Sequence, residues 1–282
     1  MAAMTKPIVD PGSEAHAPEL YNPAAEAPVM PLDEQLTDEH LAFYREHGYL
    51  AVESLFTPAE VDKTLATIDD LITGKDEAWH GTMYEAAVKA ELDQLTPQQR
   101  RDKVRKLHFF GEEARQCNLP IDHPLLLRCV EQLLGNRTPK LFQIMTLLKP
   151  PKIGREKPWH QDHAYFNLEL DQPVVGVWIA LDEATVENGC MQVLDGAHRE
   201  GPQHHWKRRD WQICDTDILG RKSVAVPLKP GSALFFDSFL PHGTPMNQSP
   251  QRRRAIQFHY AADDAVEVDE QQRLAVFGTE GK

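Results

Sequence analysis

The chain has 282 residues, 41% hydrophobic and 26% charged: enough apolar material for one sizeable core, with the charge content of an ordinary globular protein. Its 43 acidic against 30 basic residues give a net charge of −13, which argues against wholesale binding to nucleic acid or to an anionic membrane. No run approaches the roughly 20 apolar residues of a membrane span, the N-terminus lacks the basic-then-apolar pattern of a secretory signal, and Cys117, Cys129, Cys190 and Cys214 are scattered without a CxxC, as expected of reduced thiols in a cytosolic protein.

Residues 1–34 carry Pro7, Pro11, Pro18, Pro23, Pro28 and Pro31 and show no hydrophobic period, which predicts a flexible tail ahead of a single domain over 35–282. LTDEHLAFYREHGYLAV predicts a helix capped by Thr37 and stopped at Gly48. His40 stands where a capping box has Glu or Gln, so the box reads as incomplete. YLAVESLF follows as a strand. Thr57-Pro58 opens a second helix whose apolar face is Val61, Leu65, Ile68, Leu71 and Ile72. Residues 74–105 are polar and predict a mobile or irregular surface segment, with LTPQQRRDKVRKL helical. HPLLLRCVEQLLG predicts a third helix ending at Gly135.

Beyond Gly135 the pattern changes to short β-rich runs: LFQIMTLLKPP, VVGVWIALDEAT, CMQVLDGAH, SVAVPLKPGSALFFDSFLPHGT and RRAIQFHYA, separated by Gly, Pro and Asp turns. Strands at this spacing with few helices between them predict an antiparallel sandwich or barrel. The expected class is α+β, with N-terminal helices packed on one side of the sheets.

Three features single out a subset of the 13 histidines. In WHQDHAYFN, His160 and Asp162 are two apart, so on an extended segment both face one side, where an imidazole and a carboxylate can share one ion. Gln161 then points away and is free to brace the turn, and His163 falls on the side opposite Asp162, outside the metal set. His242 in FLPHGTP lies 82 residues further on, after the apolar run ALFFDSFL. Two histidines and one carboxylate on one face of a metal leave three positions open, the arrangement of non-haem iron(II) oxygenases. Arg253 follows 11 residues after His242 in RRRAIQFHY. Alternation separates it from Arg252 and Arg254, and its guanidinium fork suits a carboxylate. A solvated strand edge is the alternative for this run.

HQD at 160–162, HG at 242–243 and Arg253 together resemble the phytanoyl-CoA dioxygenase family. KPP, GVWIALDEATVENGCMQVLDGAH, PGSALFFDSFLPHGT and LTDEHLAFYREHGYLAVESLFTPAEV agree, so the resemblance spans roughly residues 35–262. It implies a double-stranded β-helix (jelly-roll, cupin-like) core. It implies an Fe(II)- and 2-oxoglutarate-dependent dioxygenase that hydroxylates a small-molecule or acyl substrate, CoA-linked or free, and releases succinate and CO2. The cofactors implied are Fe(II), 2-oxoglutarate and O2, with ascorbate as reductant.

Carried over by position, His160, Asp162 and His242 fall on the metal ligands. Arg253 and Thr244 fall on the groups that hold the distal carboxylate of 2-oxoglutarate. Trp178, Lys106 and Met145 fall on cosubstrate-pocket positions, and Gln143 shares the strand face of Met145. Related halogenases replace the carboxylate by a small residue; Asp162 is present, which favours hydroxylation. Trp159, Tyr165 and Trp178 are candidate aromatic lining, with plain core packing as their alternative.

The basic run HHWKRRDW at 204–211 reads as a pocket rim or, preferably, a solvated loop. The expected partner is a small molecule, with no nucleic acid or membrane, and the expected state is a monomer or weak homodimer. The rival functions are a cupin-like metal-dependent isomerase or hydrolase and a non-catalytic 2-oxoglutarate- or metal-binding protein.

Overall fold

In the run Val174–Ala180 every residue is buried: Val175, Val177 and Ile179 point one way, Gly176, Trp178 and Ala180 the other. A strand apolar on both faces needs cover on both. The structure, a computed structural model, describes residues 8–75, 79–109, 117 and 119–281. Among these, four longer helices are α1 (Asp38–His47), α2 (Pro58–Ile72), α3 (Pro124–Leu133) and α4 (Glu270–Phe277). The principal strands are β1 (Tyr49–Val52), β2 (Thr82–Tyr84), β3 (Val104–Phe109), β4 (Pro139–Lys149), β5 (Lys157–His160), β6 (Val174–Ala180) and β7 (Met191–Val193). They continue as β8 (His205–Lys207), β9 (Trp211–Ile213), β10 (Val224–Val226), β11 (Ala233–Asp237), β12 (His242–Thr244) and β13 (Arg253–Ala262).

Among the described residues, the larger sheet has nine strands in the order Ile8–Val9, β2, β3, β4, β13, β6, β11, β1, Val29–Met30. The smaller has five, Ala25–Glu26, β10, β7, β12, β5, and β8 with β9 forms a separate hairpin. On one face of the large sheet Val175, Val177, Phe235, Ile256 and Phe258 pack against Val61 and Ile68 of α2 and Leu126 and Val130 of α3. On the other, Trp178, Leu234, Phe236 and Ala255 pack against Met191, Val193, Ala225 and Val226 of the small sheet. Each such side chain contributes about 1.5–3 kcal/mol by leaving water. The fold is therefore α+β, with helices covering one side of the large sheet.

Several local expectations are corrected. The α1 cap is complete: Thr37 Oγ1 accepts from His40 N at 3.3 Å, and His40 Nδ1 accepts from Thr37 N at 3.0 Å, so a bare imidazole nitrogen does the work of a carboxylate. Among the described residues of 74–105 only Pro97–Arg100 and short turns are helical, and Val88, Leu92 and Val104 are buried. The VRKL end of the expected helix is the start of β3, because Val104, Leu107 and Phe109 alternate into the core. Part of that segment, 76–78, lies outside the described residues.

The flexible tail is corrected over residues 8–33. Ile8–Val9 pairs with β2, Ala25–Glu26 with β10, and Val29–Met30 with β1. Leu20 and Tyr21 are buried against Trp159, and the Tyr21 hydroxyl donates to Glu156 Oε1 at 2.8 Å. Single residues dock one at a time along an extended, proline-rich path, so no period betrays the packing. Residues 1–7 lie outside the described set.

Candidate metal centre and its pocket

β5 ends on His160 and β12 begins on His242, and the two are register partners in the small sheet. Pairing thus places residues 82 apart in sequence with ring centroids 4.3 Å apart. His160 Nδ1 lies 2.7 Å from the Pro158 carbonyl and His242 Nδ1 lies 3.0 Å from the Leu240 carbonyl. A carbonyl can only accept, so each Nδ1 carries the hydrogen and each Nε2 keeps a free lone pair. Asp162 Oδ1 faces both, 3.2 Å from His160 Nε2 and 3.6 Å from His242 Nε2. All three residues are buried, with ligand atoms within 4.8 Å of one another.

The chain leaves β5 through Gln161, which is extended, and enters a 3₁₀ turn at Asp162–Tyr165. Gln161 braces this exit: its amide donates to the carbonyls of Phe239 at 2.6 Å and Gly201 at 2.8 Å and accepts from Gln203 N at 2.7 Å. His163 turns away, its Nδ1 3.0 Å from Ser238 Oγ and its ring stacked on Phe239. Behind His242 lies the ring of Phe236, 4.8 Å between centroids, in space that Gly176 leaves; a Cβ at 176 would collide with that ring.

Burial by itself would raise the Asp162 carboxyl. The surrounding imidazoles, His242 and His259 foremost, and the hydrogen bond from His259 outweigh it and hold the group well below the usual carboxylate range. Burial pushes His242 down to about 3, so its imidazole is neutral at physiological pH.

β13 supplies the opposite wall. Arg252 pairs with Asp102, and Arg254 with Asp182 at 2.8 Å. Arg253, between them, points inward and is buried. Its Nη1 donates to the Leu147 carbonyl at 3.1 Å, its Nε has no partner, and no carboxylate pairs with it among the described residues. Burial lowers this guanidinium to about 10.

A cavity of about 560 Å³ joins Arg253 to the three candidate ligands; Lys106, Gln143, Met145, Tyr165 and Thr244 also line it. Lys106 is pushed down to about 8, by burial first and then by Lys157 and Arg105. Trp178 is not on the cavity wall: it lies against Arg253, the guanidinium carbon 5.2 Å from its ring centroid. Trp159 likewise packs in the core beside Tyr21 instead of lining the cavity.

The 204–211 segment forms the β8–β9 hairpin, and Lys207 to Asp210 reach the rim. Much of its charge is matched internally, Arg209 by Glu156 and Asp215, and Asp210 by Lys157. Two polar residues of the site escaped the sequence reading: Gln257 and His259, whose Nε2 atoms lie 3.3 and 2.6 Å from Asp162 Oδ2. The signal that could have found them is the two-residue period starting at Arg253.

Two bare imidazole nitrogens and a carboxylate fit a divalent first-row metal, and a buried guanidinium across the cavity with no carboxylate partner among the described residues fits an organic carboxylate. The family model for phytanoyl-CoA dioxygenase (PhyH) matches residues 44–255. Human peroxisomal phytanoyl-CoA dioxygenase is 26% identical over 246 residues, covering 83% of this chain and 71% of that protein. Phytanoyl-CoA dioxygenase domain-containing protein 1 of Danio rerio is 28% identical over 265 residues, covering 79% and 89%.

Among solved structures, EvdO2 from Micromonospora carbonacea var. aurantiaca superimposes with a TM-score of 0.64 at 26% identity, covering 88% of this chain and 99% of that one. The epimerase SnoN, solved with Fe3+, alpha ketoglutarate and nogalamycin RO, shares the fold with a TM-score of 0.65 at 20% identity, covering 82% and 86%. The protein is an enzyme of the 2-oxoglutarate-dependent non-haem iron dioxygenase class. The chain belongs to the phytanoyl-CoA dioxygenase family.

Proposed function

We propose that this chain hydroxylates a small organic or acyl substrate at the expense of 2-oxoglutarate and O2, with release of succinate and CO2. The observation that carries the reading is the buried Arg253, without a carboxylate partner among the described residues, on the same cavity as the His160–Asp162–His242 cluster. A metal-dependent isomerase or hydrolase that takes no 2-oxoglutarate has no use for a carboxylate anchor there.

In this reading the two packed sheets are the halves of a double-stranded β-helix, and residues 35–282 form one catalytic domain onto which 8–34 is strapped. Nε2 of His160, Nε2 of His242 and Oδ1 of Asp162 hold Fe(II). Arg253 and the Thr244 hydroxyl hold the distal carboxylate of 2-oxoglutarate, and Trp178 packs against Arg253 to fix its fork. Lys106, Met145 and Gln143 complete the cosubstrate wall. When bound, the iron couples decarboxylation of 2-oxoglutarate to oxidation of a substrate C–H bond. The chain's own part is to keep both imidazoles in the Nε2-free tautomer, to keep Asp162 ionised, and to exclude water with Tyr165 and Phe166 at the cavity wall.

The reading includes ascorbate as reductant, a free small-molecule or CoA-linked substrate, a monomer or weak homodimer, and a cytosolic location. All four cysteines are free thiols, which suits a reducing compartment. Among the described residues no helix is long and apolar enough to cross a membrane. The test is anaerobic titration of the Fe(II)-loaded protein with 2-oxoglutarate, watching for the weak charge-transfer band at ~500 nm expected on chelation to open iron positions. A saturable band that is absent in His160→Ala supports the reading; metal bound with no band sinks it.

A further inference from the structure

The two oxygens of Asp162 do different things. Oδ1 faces Nε2 of His160 and of His242, at 3.2 and 3.6 Å. Oδ2 faces β13, where His259 Nε2 approaches to 2.6 Å and Gln257 Nε2 to 3.3 Å. Asp162 stands at the start of a 3₁₀ turn just past the end of β5, where no ladder hydrogen bond fixes its direction. β13 is an interior strand of the nine-stranded sheet, paired with β4 and β6 on its two sides. The position of the carboxylate is thus borrowed from the more rigid element.

His259 is itself held on all sides. It is 1% exposed, with the rings of Phe166, Phe142 and Phe236 at 4.9, 6.1 and 6.3 Å between centroids. Its Nδ1 is buried and makes no hydrogen bond. An N–H there would be an unpaired buried donor, whereas a bare nitrogen costs less, so the ring's one hydrogen belongs on Nε2, aimed at Asp162. The 3.1 Å approach of Gln257 Nε2 to His259 Nε2 is that of two donors converging on one acceptor oxygen.

We propose that His259 is a positioning residue of the metal centre. Its Nε2–H fastens Oδ2 of Asp162, so that Oδ1 alone joins the two histidines as a ligand. The inference rests on the proposed iron site. Without His259 the carboxylate is free to rotate, to offer both oxygens, or to turn away from the histidine pair. Outer partners of this kind change metal affinity by about 10- to 100-fold.

The experiment uses the full chain and Co(II) under anaerobic conditions without 2-oxoglutarate, reading Kd and the visible d–d spectrum for wild type, His259→Ala, His259→Gln and His160→Ala. The expected result is Co(II) binding weakened about 10- to 100-fold in His259→Ala with a changed spectrum. In His259→Gln, whose amide can reach the same oxygen, affinity and spectrum return toward wild type. Wild-type affinity and spectrum in His259→Ala overturn the proposal, and so does a His259→Gln as impaired as the alanine variant. Should His259→Ala fail to fold by circular dichroism, the glutamine variant decides alone: wild-type-like binding supports the proposal and weakened binding overturns it. Failure of the iron site itself is read separately, as unchanged Co(II) binding in His160→Ala.

Discussion

Toward the helices β13 presents Ile256, Phe258 and Tyr260; toward the small sheet the same strand presents Arg253, Gln257 and His259. Backbone, register and burial are shared, and only the side chains differ. On the helix side carbon meets carbon and the contribution is stability. On the other side polar groups are taken out of water and left aimed at something: Arg253 at the cavity, with no carboxylate partner among the described residues, and His259 at Asp162. Burial of that second kind gains little for folding, and its return is a prepared site. The comparison predicts that damage to one face is read in unfolding experiments and damage to the other in metal and cosubstrate binding.

The largest effect is expected at the ligands. His160→Ala or Asp162→Ala should abolish metal-dependent succinate formation while the melting temperature stays near wild type; full activity in either variant breaks the assignment. On the opposite face, Phe258→Ala should cost about 3–5 kcal/mol in urea unfolding, while the protein that remains folded binds metal as wild type does. Loss of metal binding by folded Phe258→Ala would dissolve the distinction between the faces.

Acid should destabilise the protein through two buried histidines that flank the site's approach strand rather than through β13 itself. Burial holds His163 at about 4 and His205 at about 3. Unfolded, both titrate near ~6.5. Below that pH the unfolded chain takes up protons that the folded chain refuses, so stability is lost as pH falls from about 6.5 toward 4 and is retained above. The expected loss is a few kcal/mol, read from urea midpoints at about pH 7 and about pH 5. His163→Asn should flatten the slope, and an unchanged slope removes His163 from the account.

Arg253→Ala should weaken 2-oxoglutarate binding by about 10- to 100-fold, the value of a charge-assisted hydrogen bond or two, and leave Co(II) affinity unchanged. Equal losses for both would mean that Arg253 supports the metal site itself. The smallest effect tests the N-terminal strap: Tyr21→Phe removes the buried hydroxyl bonded to Glu156 and should cost about 1–2 kcal/mol in unfolding, with metal binding unaltered.

Helices α1, α2 and α3 were legible because their signals are local. Thr57-Pro58 with Glu60 caps α2, and the apolar residues that follow recur at the helical period. β13 was legible from alternation, which also separated Arg253 from its two ion-paired neighbours. β3 was misread because a charged run with helix formers hides Val104, Leu107 and Phe109 at a spacing of two and three. The strap at 8–33 was missed for a different reason: its contacts are with strands far along the chain, and an extended segment has no period of its own.

By itself the sequence determined the class of fold, the positions of α1, α2 and α3 and most core strands, and the residue types of the candidate site: two histidines, an aspartate and an arginine at telling intervals. Only the tertiary structure decided that His160 and His242 are strand partners, that their Nδ1 atoms are bound to backbone carbonyls, and that Gln257 and His259 hold the far oxygen of Asp162. The physical reason is range. Capping and periodicity act over a few residues and leave a mark in the order of amino acids. Register between distant strands is set by the packing of whole sheets, and a hydrogen bond across 97 residues has no local signature.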